Sequence, residues 1–292
     1  MRPAHQRSEQ SWLAACALGA AAPHVFGCGI VVLGLALLFG ASACTTESLA
    51  DSIWPPSDFE ILVEEVHMEG SEPRVVRRFR ASADGVVAYG TSSISVVDQE
   101  TRTLLPVFDR LSVYRLVPTS IRALARRLDR CGVGEMDRIQ GERGAEDGVS
   151  IALAWQAFGK RRLVTARGRV HGAMAECMAV VAAHLPPGEG FGLPGLAERV
   201  VVPVLRGVPR PEADAAGALQ AHQELLGKHR ENQGWLLDAF ALACHLAQRE
   251  SAEVLLRRWT DVMAAQHPPS TFLEDEPRLM PAVLQRMLPA RP

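Results

Sequence analysis

Two hydrophobic periods share this chain, and the switch between them limits what it can fold into. Between Phe59 and Thr165 apolar residues mostly alternate with polar ones, whereas from Asp214 onward they recur every three or four positions. Alternation puts one set of side chains on one face of a pleated strand, while the longer period marks one face of a helix. Phe59, Ile61 and Val63 open a first strand, and Val75 to Ala81 a second. Asp84-Gly85 follows, a pair suited to a tight hairpin because glycine accepts positive φ. Val86 to Tyr89 continues beyond that turn, Ile94 to Val97 follows, and Val107, Leu111 and Val113 are read as one further strand.

The first helical stretch places Ile121, Leu124, Ala125, Leu128 and Cys131 on one face. Thr119 or Ser120 is positioned to cap its start and Gly132 to end it. Val149, Ile151, Leu153 and Trp155 then alternate as a strand, turned by Phe158-Gly159-Lys160 into Leu163-Val164-Thr165. Met174, Cys177, Met178, Val181 and Leu185 mark a second helix.

The connector is rich in glycine and proline, although Val200 to Leu205 has the composition of an edge strand. Beyond it four helices are expected: one around Leu219, Leu225 and Leu226, one from Trp235 to Leu246, one started by Ser251 and running through Leu255 to Met263, and one from Leu279 to Leu288 with Pro277 near its first turn. The fold expectation is α+β. An antiparallel sheet with helices on one face spans residues 58–187, a connector spans 188–211, and a small all-helical module spans 212–292. The pair from Trp235 to Met263 faintly resembles a tetratricopeptide-type hairpin, but arrays of that kind need about three units.

The N-terminus carries a different signal. Arg2 and Arg7 precede an apolar run from Val25 to Ala43, and no charge lies between Glu9 and Glu47. Basic, apolar and small-residue regions in that order form a secretory signal. The run ends in Ala41-Ser42-Ala43-Cys44, which resembles the lipobox of a bacterial lipoprotein precursor, with alanine at position 41 where leucine is commonest. The resemblance implies a signal over residues 1–43, lipid on Cys44, a linker over 44–57 and a body held at the cell envelope. Thr45 after the cysteine implies outer-membrane delivery. Two acyl chains anchor stably where one does not. Two other fates stay open: cleavage after Ala43 without lipid, giving a secreted or periplasmic soluble protein, or retention as an anchor. The order of elements over 58–187 is also similar to small extracytoplasmic α+β modules of bacterial lipoproteins, a likeness that carries no catalytic residue across.

Charge excludes one class of partner. The chain has 31 basic and 33 acidic residues, and loss of Arg2, Arg7 and Glu9 with the signal leaves a net charge of −3. A nucleic-acid surface needs a clear basic excess. Of the six cysteines, Cys131, Cys177 and Cys244 belong to the body, and no CxxC is present. A Cys131–Cys177 bridge is one option and three buried apolar thiols the other.

The remaining motifs read as structure. Gly190-Phe191-Gly192-Leu193-Pro194-Gly195 matches GxGxxG, but the preceding helix and prolines fit a linker better than a pyrophosphate loop. His222, His229 and His245 lack further ligands at metal-binding spacing. The acidic loop Gly141 to Gly148 matches no calcium loop, and the Arg122, Arg126, Arg130 stripe reads as a solvated helix face. No catalytic, cofactor or metal residue is assigned; Cys44 is the one site residue. The expectation is a non-enzymatic interaction or scaffold protein on a lipid anchor, with a protein partner sought first on the helical segment. The rival is a secreted hydrolase, or a ligand-binding or inhibitor module, with a site assembled from distant residues.

Overall fold

A computed structural model describes residues 54–69, 72–141, 148–168, 170–192, 204–265 and 281–291. The strands are β1 (Glu60–Glu69), β2 (Glu72–Ser82), β3 (Val86–Thr91), β4 (Ile94–Val97), β5 (Leu104–Val107), β6 (Arg110–Arg115), β7 (Ile139–Gly141), β8 (Val149–Ala157) and β9 (Lys160–Arg167). Helices α1 (Pro118–Arg130) and α2 (Gly172–Ala182) belong to the first part. Helices α3 (Ala215–Lys228), α4 (Gln233–His245), α5 (Arg249–Ala265) and α6 (Pro281–Arg286) follow. The protein is α+β, as the two periods predict.

Seven strands form one sheet in the order β6-β3-β2-β1-β8-β9-β7, antiparallel except for the parallel β7–β9 pair. The central β1 is flanked by β2, its hairpin partner, and by β8 from far along the chain. Gly85, at φ +82°, makes the expected turn between β2 and β3. Its Cβ-free geometry also leaves room for the Leu116 carbonyl, 2.7 Å from where a Cβ would stand. At the β8–β9 turn the backbone N–H groups of Phe158 and Gly159 donate to the Asp58 carboxylate at 3.0 and 2.6 Å.

Strand parity divides the buried residues. Ile61, Val63, Phe79, Ala81, Val87, Tyr89, Ile151, Leu153, Trp155, Val164 and Ala166 point to one face, where Leu124 and Leu128 of α1 and Met174, Cys177 and Met178 of α2 cover them. Burying each such large side chain contributes about 1.5–3 kcal/mol. The opposite face carries Val86 and Leu111, and meets the second core, built around Trp235, Leu236, Phe240 and Leu256. The hairpin β4–β5 forms a separate two-stranded sheet that adds Leu105 and Val107 to this second core. The described residues pack as one unit, so the helical segment and the sheet share an apolar interior.

Several local expectations need correcting. Helices α1 and α2 pack on one face of the sheet, as expected, and α3 to α5 of the helical segment close the other. Val107 and Leu111 belong to two strands, since Asp109 breaks the run and Val107 pairs with Ile94. Helix α1 begins at Val117-Pro118 without a side-chain cap, proline's fixed φ serving the first turn, so neither Thr119 nor Ser120 caps it. Gly132, left-handed, follows its last turn as expected. Helix α5 starts at Arg249, two residues before Ser251. Val204 and Leu205 are not in a strand, and residues 200–203 lie outside the described residues.

Candidate functional site

Along β1, β2 and β3 the face that carries the first core changes character. Ile61 and Val63 are followed at the same parity by Glu65 and His67. On β2 the series Ala81, Phe79 continues to Arg77, and on β3 Val87, Tyr89 continues to Thr91. Pairing places Glu65 opposite Arg77, and Arg77 opposite Thr91. A register shift in the β1–β2 pair falls between Glu65 and Val66, so Val76 is the extra residue on β2. The result is a polar patch across three strands, at the end of the face where the apolar core stops.

Glu65 is fully buried, and its carboxylate is held from three directions. Arg77 Nη1 donates to Oε1, His67 Nε2 lies 2.6 Å from the same oxygen, and the backbone N–H of Gly192 donates to Oε2 at 2.7 Å. Charge-assisted bonds of this kind make burial of a carboxylate tolerable. Beside it, Tyr89 donates its phenol to Glu189 Oε2 at 3.0 Å, and Arg210 Nε donates to Glu189 Oε1 at 3.0 Å. Burial and the neighbouring Glu189 push the Tyr89 hydroxyl well above its usual range, so it stays a neutral donor. Burial is the largest single influence on Arg77 and works against its charge, but the bond to Glu65 and the charges of Glu65, Tyr89 and Glu189 together outweigh it and raise its pKa.

Above this patch opens a cleft of about 400 Å³. Arg77, Arg110 and Arg210 line it with His67 and Glu189, and Thr91, Ser92 and Ser93 contribute hydroxyls. Ser92 Oγ is engaged with the Ile94 carbonyl at 2.7 Å. Glu189 and Arg210-Pro211 of the connector form part of its wall, and Gly192 caps Glu65 beside it, so the connector helps build the site.

A second charged cluster occupies the other face. Arg78 bonds Asp238 of α4 and, through Nε, Glu64 at 2.6 Å, with its guanidinium 4.4 Å from the Phe108 ring centre. Arg80 donates to Asn232 Oδ1 at 3.1 Å and lies 3.5 Å from Glu60. Burial lowers the pKa of Arg80; for Arg78 the same burial is outweighed by Asp238 and Glu64, which raise it. His222 of α3 is buried beside them, and burial, helped by the two arginines, pushes its pKa down to about 4. The void these groups enclose is only about 10 Å³, at the lower limit for one water molecule.

The residues singled out in the sequence fall elsewhere. Cys44 and the segment before it lie outside the described residues, as do residues 142–147 of the acidic loop. Gly190 and Gly192 precede the undescribed 193–203, and the Gly192 N–H is spent on Glu65. Cys131 and Cys177 are free thiols that share a hydrogen bond, and burial raises both pKa values; Cys244, also free, is pushed up to about 12. Of the helix stripe, Arg122 and Arg126 are half-buried and Arg130 is exposed. His229 stacks edge-on against Trp235 at 4.8 Å, while His222 is buried. Among the described residues no three His, Cys, Asp or Glu side chains are grouped to hold a metal, and no helix is long and apolar enough to cross a membrane.

No protein-family model matches the chain, and no curated protein matches it in sequence. The cleft therefore rests on its own geometry. Its residues were missed because Arg77 and Thr91 read as polar strand positions and Glu189 and Arg210 as connector. The signal was present: Glu65 and His67 hold the parity of Ile61 and Val63, a core-facing register continued in charge.

Proposed function

We propose that this chain is a membrane-tethered envelope protein, lipidated at Cys44, whose body binds a partner rather than transforming a substrate. The anchor rests on the lipobox-like Ala41-Ser42-Ala43-Cys44, and Thr45 favours the outer membrane. One observation carries the binding half: the cleft over Glu65 is wide and charged, and its carboxylates are already engaged. Glu65 is committed to Arg77, His67 and Gly192, and Glu189 to Tyr89 and Arg210. Groups fixed in this way present a preorganised surface. The apolar faces of the helical segment pack against β3, β5 and one another, which moves the search for a binding surface from the helices to the cleft.

A hydrolase is the second reading, and His67 is its support. Its ring sits 2.6 Å from Glu65, a carboxylate–imidazole pair, with the hydroxyls of Thr91 and Ser93 lining the same cleft. Intact mass and membrane partitioning of the native protein beside Cys44→Ser test the anchor. Acyl mass on a chain that starts at Cys44, and release from the membrane on substitution, are expected. A chain starting at Cys44 without acyl mass would mean a released soluble protein, and retention of residues 1–43 an anchor segment.

A further inference from the structure

The cleft holds a positive charge that its own residues leave unanswered. Arg77 is paired with Glu65 and Arg210 with Glu189, while the exposed Arg110 makes no ion pair with any described residue. Arg110 begins β6 beside the end of β3, so its position on the cleft wall is set by the sheet: Thr91 is its register partner. An isolated β-bridge from Arg110 to Ala213 fixes the same backbone from the other side. From a backbone fixed this way, the Arg110 guanidinium offers a planar fork of N–H donors that matches the oxygens of a carboxylate or phosphate. The volume of about 400 Å³ is that of a small-molecule site. Its lining is unusual for an apolar ligand, because Thr91 and Ser93 add hydroxyls where carbon would be expected.

We propose that this cleft binds a small oxyanion on a hydroxyl-bearing body, a sugar acid or a sugar phosphate, with Arg110 taking the charge. Thr91 and Ser93 meet the hydroxyls, and the Tyr89–Glu189–Arg210 chain holds the far wall in place. Arg77 is already paired with buried Glu65, so it shapes the floor. The inference rests on the reading of the body as a binding protein and gives that reading a ligand class.

The test titrates the full chain, purified in detergent at low ionic strength, by calorimetry. The probes are gluconate, glucose 6-phosphate, inorganic phosphate and neutral glucose, and each ligand is recovered and weighed. Gluconate or glucose 6-phosphate is expected to bind, with glucose and inorganic phosphate weaker. The tighter of the two anions identifies carboxylate or phosphate as the charge that is read. Arg110→Gln should weaken binding about tenfold or more, the worth of one charge-assisted bond, while keeping the wild-type Tm because no described residue pairs with that guanidinium. No binding of either sugar anion at millimolar concentration, or unchanged binding by Arg110→Gln, would overturn the site and leave the lipid anchor untouched. Inorganic phosphate binding as tightly as glucose 6-phosphate would overturn the hydroxyl-bearing ligand class. A probe that binds but returns chemically altered would uphold the site and sink the non-enzymatic reading.

Discussion

Arg77 and Arg78 are neighbours on one strand and live in opposite worlds. Arg77 points to the face of α1 and α2, beyond the end of their cover, and opens on a cleft of about 400 Å³. Arg78 points to the face closed by α4 and is locked between Glu64 and Asp238 around a void of about 10 Å³. Both clusters pair arginine with carboxylate. What separates them is access: the second is packed beneath Phe108 and Trp235, while the first keeps half-exposed groups. A buried ion pair is poor evidence of function and an accessible one is better, because water has been excluded from the first and a ligand can replace it at the second.

The largest effect should come from breaking the closed cluster. Asp238→Ala leaves Arg78 buried with one partner fewer and should cost about 3–5 kcal/mol in urea unfolding. A loss below 1 kcal/mol would mean that water reaches Arg78 and that the two faces are less distinct. Next is pH. His222 takes its proton at about 4 in the folded protein against 6.5 for the free side chain, so the unfolded chain binds more protons between those values. Stability should therefore fall by about 3 kcal/mol as pH drops from 6.5 to 4. His222→Leu should flatten that part of the stability profile, and an unchanged slope would place the titration on another group.

The open side should answer more weakly. Tyr89→Phe removes the bond to Glu189 and should cost about 1 kcal/mol, together with some loss of order in the cleft wall. Arg210→Ala, at a side chain 67% exposed, should change unfolding by less than about 1 kcal/mol. A loss of several kcal/mol there would make the cleft a structural element like its counterpart.

Most of the architecture was legible because hydrophobic period is local. The strands from Phe59 to Ala81, the Asp84-Gly85 turn, and helices α1 to α4 all follow from residues within one element. Sheet order was not legible. Placing β8 beside β1 depends on pairing across about ninety residues, from Leu62 to Ala154. Ile94 to Val97 was read as a strand, but its pairing with β5 in a separate sheet was not legible, nor was the three-residue β7. The candidate site was barely legible. Parity tells that Glu65 shares a face with Val63, but not that α1 and α2 stop short of it, nor that the connector near Gly192 would fold back to cap it. Cys44 remains a reading of sequence alone.

The most direct test of the division between the two faces is arginine modification with phenylglyoxal on the native protein, read by peptide mass. Arg110 and Arg210 should react readily and be shielded by a bound sugar anion, while Arg78 and Arg80 stay unmodified until the protein unfolds. Modification of Arg78 or Arg80 in the folded protein at the rate of Arg110 would contradict the account, because the cluster described as closed would then be as open as the cleft.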